Sequence, residues 1–278
     1  MLKITNLNFK YNKNPVLKGV SFGLEKGIKA LVAPNGAGKT TLLNCISQQL
    51  KADGSIIIDD KEINNRKILE NLTFLGDSSI LDPEIAAIDY MKYVAKTYNI
   101  NYEKIDKVAN LTEISHFYKN KIGTYSLGMK NRTMIALSIL PDTEYILLDE
   151  PLSGLDPSSV KKMKELLLNL SKTKGILLSS HILDDINDLT DDILFLKDGK
   201  IIEFKSYSSQ LLKIESSDDS KSFDILNKNH FLHSKDKLII DQKDLNGVLK
   251  ILFVNDIEII NIQNLKDSLK EIYFEIFT

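Results

Sequence analysis

Lys39 and Thr40 follow two closely spaced glycines in Leu31-Val32-Ala33-Pro34-Asn35-Gly36-Ala37-Gly38-Lys39-Thr40-Thr41. This order meets the phosphate-loop pattern G-x-x-x-x-G-K-[ST] at Gly38, Lys39 and Thr40, with Ala33 in place of the first glycine. Pro34 biases the residue before it toward extended backbone, where alanine is comfortable. Gly36 and Gly38 let the chain approach an anion closely, so that the amides from Asn35 through Thr41 face phosphate oxygens. Lys39 adds a charge near the β- and γ-phosphates, and the Thr40 hydroxyl suits Mg²⁺. A second reactive group ends the apolar run Tyr145-Ile146-Leu147-Leu148, where Asp149 and Glu150 stand side by side. Asp149 can hold Mg²⁺ directly or through water. Glu150 can take a proton from a water attacking the γ-phosphate. A third apolar run, Gly175 to Ser180, ends in His181, which could hydrogen-bond a γ-phosphate or simply cap a strand.

These groups need an α/β scaffold. Ile28, Ala30, Leu31 and Val32 lead into the loop as a buried parallel strand does, and Leu42, Leu43, Ile46 and Leu50 follow at helical spacing. The loop therefore faces a helix N-terminus, whose dipole favours anions. Open α/β sheets deliver the carboxyl ends of their strands to one ligand edge, which places Asp149, Glu150 and His181 together. Residues 2–9 and 16–24 read as strands around a turn at Asn12-Lys13-Asn14-Pro15. Tyr11 at its rim could stack on an adenine ring or be an ordinary strand-end tyrosine. Residues 56–59 and 71–76 read as further strands, with Asp53-Gly54 as a turn. From Pro83, placed in a first helical turn, to about residue 140 lies a helical insert, broken at Asn99-Ile100-Asn101. Ser126 is a natural N-cap for a helix carrying Met134, Leu137 and Leu140. Ser153-Gly154-Leu155-Asp156-Pro157 turns the chain into another helix. Residues 192–197 and 200–204 pair across Asp198-Gly199, a hairpin signal. Residues 206–222 have linker composition. Beyond them, 223–278 reads as a small α+β appendage, with strands at 237–241 and 257–262 and helices at 244–254 and 265–277.

Composition sets limits. The chain of 278 residues is 43% hydrophobic and 27% charged, enough for a packed core. Its 36 basic and 38 acidic residues nearly cancel, which gives no hint of a nucleic-acid partner. A single Cys45 rules out an intrachain disulfide and fits a reducing cytoplasm. No apolar run approaches the roughly 18 residues of a membrane span, so any membrane portion belongs to another chain.

The phosphate loop, Leu148-Asp149-Glu150-Pro151, Ser153-Gly154-Leu155-Asp156 and Ser180-His181 recur in an order that resembles the ATP-binding-cassette (ABC) transporter ATPases. The resemblance covers residues 1 to about 205. It implies an α/β phosphate-loop cassette with an antiparallel β subdomain and a helical insert. It also implies that Tyr11 stacks on adenine, Asp149 holds Mg²⁺, Glu150 is the base and His181 the switch histidine. Ser126, Leu127, Gly128 and Met129 correspond to the family's signature, which binds the γ-phosphate of ATP held by the opposite protomer. Ser153, Gly154, Leu155 and Asp156 form the loop at the dimer contact. Leu127 and Met129 depart from the signature's second Gly and its Gln, so Leu127 must accept that backbone conformation. Asp77 falls where the family has a glutamine. It either contacts the metal through water, points toward a permease-facing loop, or is solvated. The signature variant and the ending Ser268-Leu269-Lys270-Glu271-Ile272-Tyr273 resemble the bacitracin, lantibiotic-immunity and drug-export ATPases.

The resulting expectation is an ATPase subunit using ATP and Mg²⁺, which forms an ATP-dependent head-to-tail homodimer. It energises a separate integral-membrane permease from the inner face of the cell membrane, for export of a drug or antimicrobial peptide. The alternatives are a soluble cassette ATPase of DNA repair or translation, and a nucleotide-binding regulator without turnover. The former usually carries a long coiled-coil insert or two cassettes. Glu150 argues against the latter.

Overall fold

The computed structural model describes residues 1–63, 65–205, 211–229, 231–232, 238–264 and 268–277. The chain divides into two compact units, Met1–Phe204 and Lys205–Thr278.

The first unit runs β1 (Leu2–Tyr11), β2 (Asn14–Leu24), β3 (Gly27–Val32), α1 (Lys39–Ile46), β4 (Asp53–Ile58), β5 (Lys61–Glu62), β6 (Leu72–Leu75), α2 (Ala87–Thr97), α3 (Glu103–Leu111), α4 (Leu127–Ile139), β7 (Tyr145–Leu148), α5 (Pro157–Ser171), β8 (Gly175–Ser180), α6 (Leu183–Asn187), β9 (Asp192–Lys197) and β10 (Lys200–Lys205). Six strands form the central sheet in the order β10-β9-β3-β8-β7-β6. The pairs β9–β3, β3–β8, β8–β7 and β7–β6 are parallel. Ala30, Leu31, Val32, Ile146, Leu147, Ile176 and Leu177 have no exposed surface. Burial on both faces is why these strands read as unbroken apolar runs. A second, antiparallel sheet has the order β2-β1-β4-β5. The β9–β10 turn is Asp198-Gly199, with both φ angles positive (52° and 80°), and the Lys18 amide donates to the Gly199 carbonyl at 2.7 Å.

Several boundaries differ from the sequence expectation. Pro15 lies inside β2, opposite Lys10, so only Asn12 and Lys13 turn the chain. Asp53-Gly54 is the start of β4 rather than a turn, because Asp53 pairs with Asn8 of β1. Pro83 does not open a helix. Its carbonyl accepts from the Gly123 amide at 2.8 Å and Ala86 bridges to Lys121, so pairing with residues 121–123 takes the bonds that a helical turn would use. The helix then begins at Ala87, and its buried face is Ala87, Met91 and Ala95, with Tyr93 exposed. The break at Asn99 separates α2 from α3 as expected, with φ 53° at Asn99.

The second unit contains β11 (Leu211–Ser216), α7 (Asp219–Lys228), β12 (Ile239–Asp241), α8 (Leu245–Val254), β13 (Ile259–Asn264) and α9 (Ser268–Phe277). The linker reading of 206–222 fails over 211–222. Those residues are a strand and a helix start, with Asp218 Oδ1 accepting from the Lys221 amide at 2.9 Å. Serine and aspartate suit linkers and N-caps equally, and only the long-range pairing of β11 with β12 and β13 decides. Residues 206–210, 237, 265–267 and 278, which the expected linker, strand, helix and appendage include, lie outside the described residues.

Candidate active site

β3, β7 and β8 are parallel neighbours, so their carboxyl ends share one edge. Past β3 the chain makes the phosphate loop. Ala33 is fully buried and is not among the described residues with positive φ, so alanine is unstrained there. Gly36 has φ 81°. Gly38 has φ 106°, and a Cβ there would lie 2.8 Å from Val16 Cγ1 of β2, so both conformation and space require glycine. The helix then starts at Lys39 with no side-chain cap, leaving its first amides available to a ligand. Asn35, Gly36 and Thr40 are exposed, while Thr41 is buried.

The Lys39 ammonium is almost buried, at 7% exposure. It donates to the Ala33 carbonyl at 2.9 Å and lies 3.3 Å from Glu150 Oε1. The other Glu150 oxygen is 2.8 Å from His181 Nδ1. Beside this chain of charges, Thr40 Oγ1 donates to Asp149 Oδ2 at 2.5 Å. Five of the residues expected at the site thus meet across three strand ends. A hydroxyl and a carboxylate oxygen in contact, next to a phosphate loop, are hard donors of the kind Mg²⁺ takes. The donor set therefore fits the metal.

Ser179, which the sequence did not single out, also joins this cluster. It is fully buried, donates to Asp149 Oδ1 at 2.5 Å and accepts from the Glu150 amide at 2.9 Å. Its signal was present in Ser179-Ser180, two hydroxyls closing an otherwise apolar strand.

The signature residues and the loop after Glu150 also meet. Ser126 Oγ accepts from the Met129 amide at 3.2 Å, so the expected cap is formed. Leu127 is the first residue of α4 and is not among the described residues with positive φ, so leucine fits where the family has glycine. Its side chain covers Gly154. With φ 69° and a hypothetical Cβ only 2.6 Å from Leu127 Cδ2, Gly154 admits no other residue unchanged. Asn131 adds a 2.5 Å bond to the Ser153 carbonyl. Asp156 caps α5. Hydrogen bonds from Ser159 and Ser158, hydroxyl and amide alike, hold its carboxyl well below the usual carboxylate range.

Three residues stand apart from the charged cluster. Tyr11, half exposed at the end of β1, contacts Phe9 edge to face at 4.8 Å. Asp77 Oδ1 accepts from the Ser79 amide at 2.7 Å and caps a 3₁₀ turn. It lines a cleft of about 230 Å³ with Leu127, Asn131, Asp149, Glu150 and Ser153. Cys45 on α1 is buried, and burial pushes its thiol up to about 12, which makes it a packing residue.

The sequence profile of the ABC transporter family matches residues 17–153. The lantibiotic transport ATP-binding protein SrtF of Streptococcus pyogenes is 35% identical over 211 residues, 74% of this chain and 91% of that protein. The bacitracin transport ATP-binding protein BcrA of Bacillus licheniformis is 29% identical over 296 residues, 99% and 97% of the two chains. Among solved structures, cbiO1 from Clostridium perfringens, part of the ABC transporter complex cbiONQ, superposes with a TM-score of 0.63. It is 26% identical, over 73% of this chain and 88% of that one. Among the described residues no helix is long and apolar enough to cross a membrane. With the phosphate loop, the paired carboxylates and the histidine at one sheet edge, the chain belongs to the ABC transporter family, as its ATP-binding and ATP-hydrolysing subunit.

Proposed function

We propose that the chain drives export of an antimicrobial peptide or a similar compound through a separate integral-membrane permease, docked on the inner face of the membrane. The names of SrtF and BcrA support that cargo class. The observation that carries the chemical reading is Glu150, held at once by Lys39 and His181. Before ATP arrives, Glu150 neutralises the lysine. The γ-phosphate then takes Lys39, and Glu150 turns to the attacking water. It accepts the water proton as the new bond to phosphorus forms and the bond to the β–γ bridging oxygen breaks, giving ADP and phosphate. His181 orients the carboxylate and donates to the γ-phosphate. Thr40 and Asp149 would hold Mg²⁺, which would balance charge on the phosphates. Asp77, with Oδ1 engaged by Ser79, lines the same cleft and would support the metal through water. The amides of residues 35–41 bind the phosphates, and Tyr11 takes the adenine ring.

Two copies close head to tail over two nucleotides. The N-terminal end of α4, where Ser126 and Leu127 are exposed and Gly128 and Met129 follow, faces the partner's γ-phosphate. Ser153, Gly154, Leu155 and Asp156 lie at the contact. Leu127 is 54% exposed in the single chain, which suits a residue covered on closure. Glu150→Gln tests the assignment. It should bind ATP at least as tightly, because Lys39 loses its competing charge, turn over about 10²–10⁴-fold more slowly, and elute as an ATP-bound dimer. Steady-state turnover equal to the parent would remove Glu150 from the role. Recovery of the chain in membranes only when its integral partner is present tests the permease.

A further inference from the structure

We infer that Ser179 is a positioning residue for ATP hydrolysis, setting the metal carboxylate and the catalytic base at once; this rests on the roles proposed above for Asp149 and Glu150. Ser179 lies on β8, opposite Leu31 of β3 in the parallel ladder. Its neighbours Ile176, Leu177 and Leu178 are almost wholly buried, and Ser179 itself has no exposed surface. A hydroxyl in such a place is unfavourable unless both its proton and a lone pair find partners. Both do, and both partners belong to the site.

The proton goes to Asp149 Oδ1. That bond fixes the carboxylate so that Oδ2 alone turns to Thr40, the hydroxyl expected beside the metal. Without it, Asp149 could rotate and offer either oxygen. The lone pair takes the amide of Glu150. Glu150 has φ 49°, in the left-handed region that residues other than glycine seldom adopt. A non-glycine residue stays there only where its surroundings hold it, and such strain gathers at active sites. The Ser179 bond is one tether, and the contacts of the Glu150 carboxylate with Lys39 and His181 are the others. His181 follows Ser179 by two residues, so one strand end orients the base through both its backbone and its side chain. In the parallel register Leu178 is opposite Leu148, which places Ser179 level with the point where the Asp149-Glu150 turn begins.

The test is Ser179→Ala, with Ser179→Thr as the variant that keeps the hydroxyl. Three quantities are read: ATP binding in EDTA, kcat for ATP, and the affinity of Mn²⁺ for the ATP-loaded protein by electron paramagnetic resonance. Ser179→Ala should bind ATP within about twofold of the parent. It should lose about 10- to 100-fold in kcat, the scale of a hydrogen bond to a charged group, and hold Mn²⁺ several-fold more weakly. Ser179→Thr should recover most of both losses. Parental kcat and Mn²⁺ affinity in a folded Ser179→Ala protein would overturn the inference. If Ser179→Ala does not fold, Ser179→Cys, nearly isosteric and a weak donor, is read in the same way. Glu150→Gln, run in parallel, separates the two readings. If that control is inactive while Ser179→Ala is fully active, the catalytic assignment stands and the Ser179 role falls.

Discussion

The strand-end edge of the first unit, where Asp149, Glu150 and His181 gather, and the second unit use the same kinds of polar residue for different ends. In the second unit, Ile214, Leu226, Ile240, Val248 and Leu252 form a closed apolar core. Around Ser216 to Ser222 most serines and aspartates bond to near neighbours, while Ser217 Oγ accepts from the distant Glu258 amide at 3.1 Å. Ser216 Oγ contacts Ser222 Oγ at 2.7 Å, and Asp219 Oδ1 accepts from the Ser216 amide at 2.8 Å, all within a strand-to-helix corner. In the first unit, Thr40, Asp149, Glu150, Ser179 and His181 come from three separate chain segments and satisfy one another across the sheet edge. The difference is topological. Parallel strands send all their carboxyl ends to one side, so the groups after them converge. In the antiparallel β12-β11-β13 sheet, neighbouring ends point in opposite directions. Ser216, Asp218 and Asp219 there find partners nearby and build the strand-to-helix corner and its cap.

If that contrast is right, substitutions in the two units should separate function from stability. The largest effect is expected from Lys39→Ala, which removes the one charge placed in the phosphate loop. ATP turnover should fall by about 10³-fold, the loss typical of removing a preorganised electrostatic donor, with little change in melting temperature. Leu252→Ala, in the second unit, should cost about 3 kcal/mol by leaving a cavity, yet keep nucleotide affinity at the parental value. Thermal unfolding and nucleotide titration check both, and an equal loss of affinity in Leu252→Ala would break the comparison.

Asp77 sharpens it, because this residue lines the cleft beside Asp149 and Glu150 while also capping a local turn. Asp77→Asn keeps a good cap and should not alter stability, whereas Asp77→Ala should lose about 1 kcal/mol. If Asp77 serves the metal, Asp77→Asn raises the Mg²⁺ concentration needed for half-maximal hydrolysis by a few-fold. Unaltered Mg²⁺ dependence at fixed free ATP would leave the cap as its only task.

The smallest effect concerns pH. Asp156 is held below the usual carboxylate range in the folded chain by Ser159 and Ser158. Its contribution is therefore complete above the ordinary aspartate value of about 3.9. It fades as pH falls through that value toward the lower folded one. Asp156→Asn should flatten this acid limb of a melting-temperature profile and leave the profile above about pH 5 parallel to the parent. An acid limb as steep as before would assign that slope to other carboxylates.

Much of the molecule was written in short stretches of sequence. The phosphate loop, the Asp198-Gly199 hairpin and the Ser126 cap are each decided within a few residues, where backbone sterics and one hydrogen bond suffice. The apolar runs before Thr40, Asp149 and His181 likewise announced buried parallel strands, and with them a common edge. What the chain could not announce were contacts between distant segments. Ser179 looks like any strand serine until the sheet sets it beside Asp149, thirty residues earlier. Leu127 looks like a flaw in a glycine motif until Gly154 is found beneath it. Asp53-Gly54 and Asp218-Asp219 carry turn or linker chemistry, and β1 and β11 make them a strand start and a helix cap. Local propensity is worth a few tenths to about 1 kcal/mol per residue. Strand pairing and the satisfaction of buried polar groups outweigh it, and those partners are chosen only when the chain has folded.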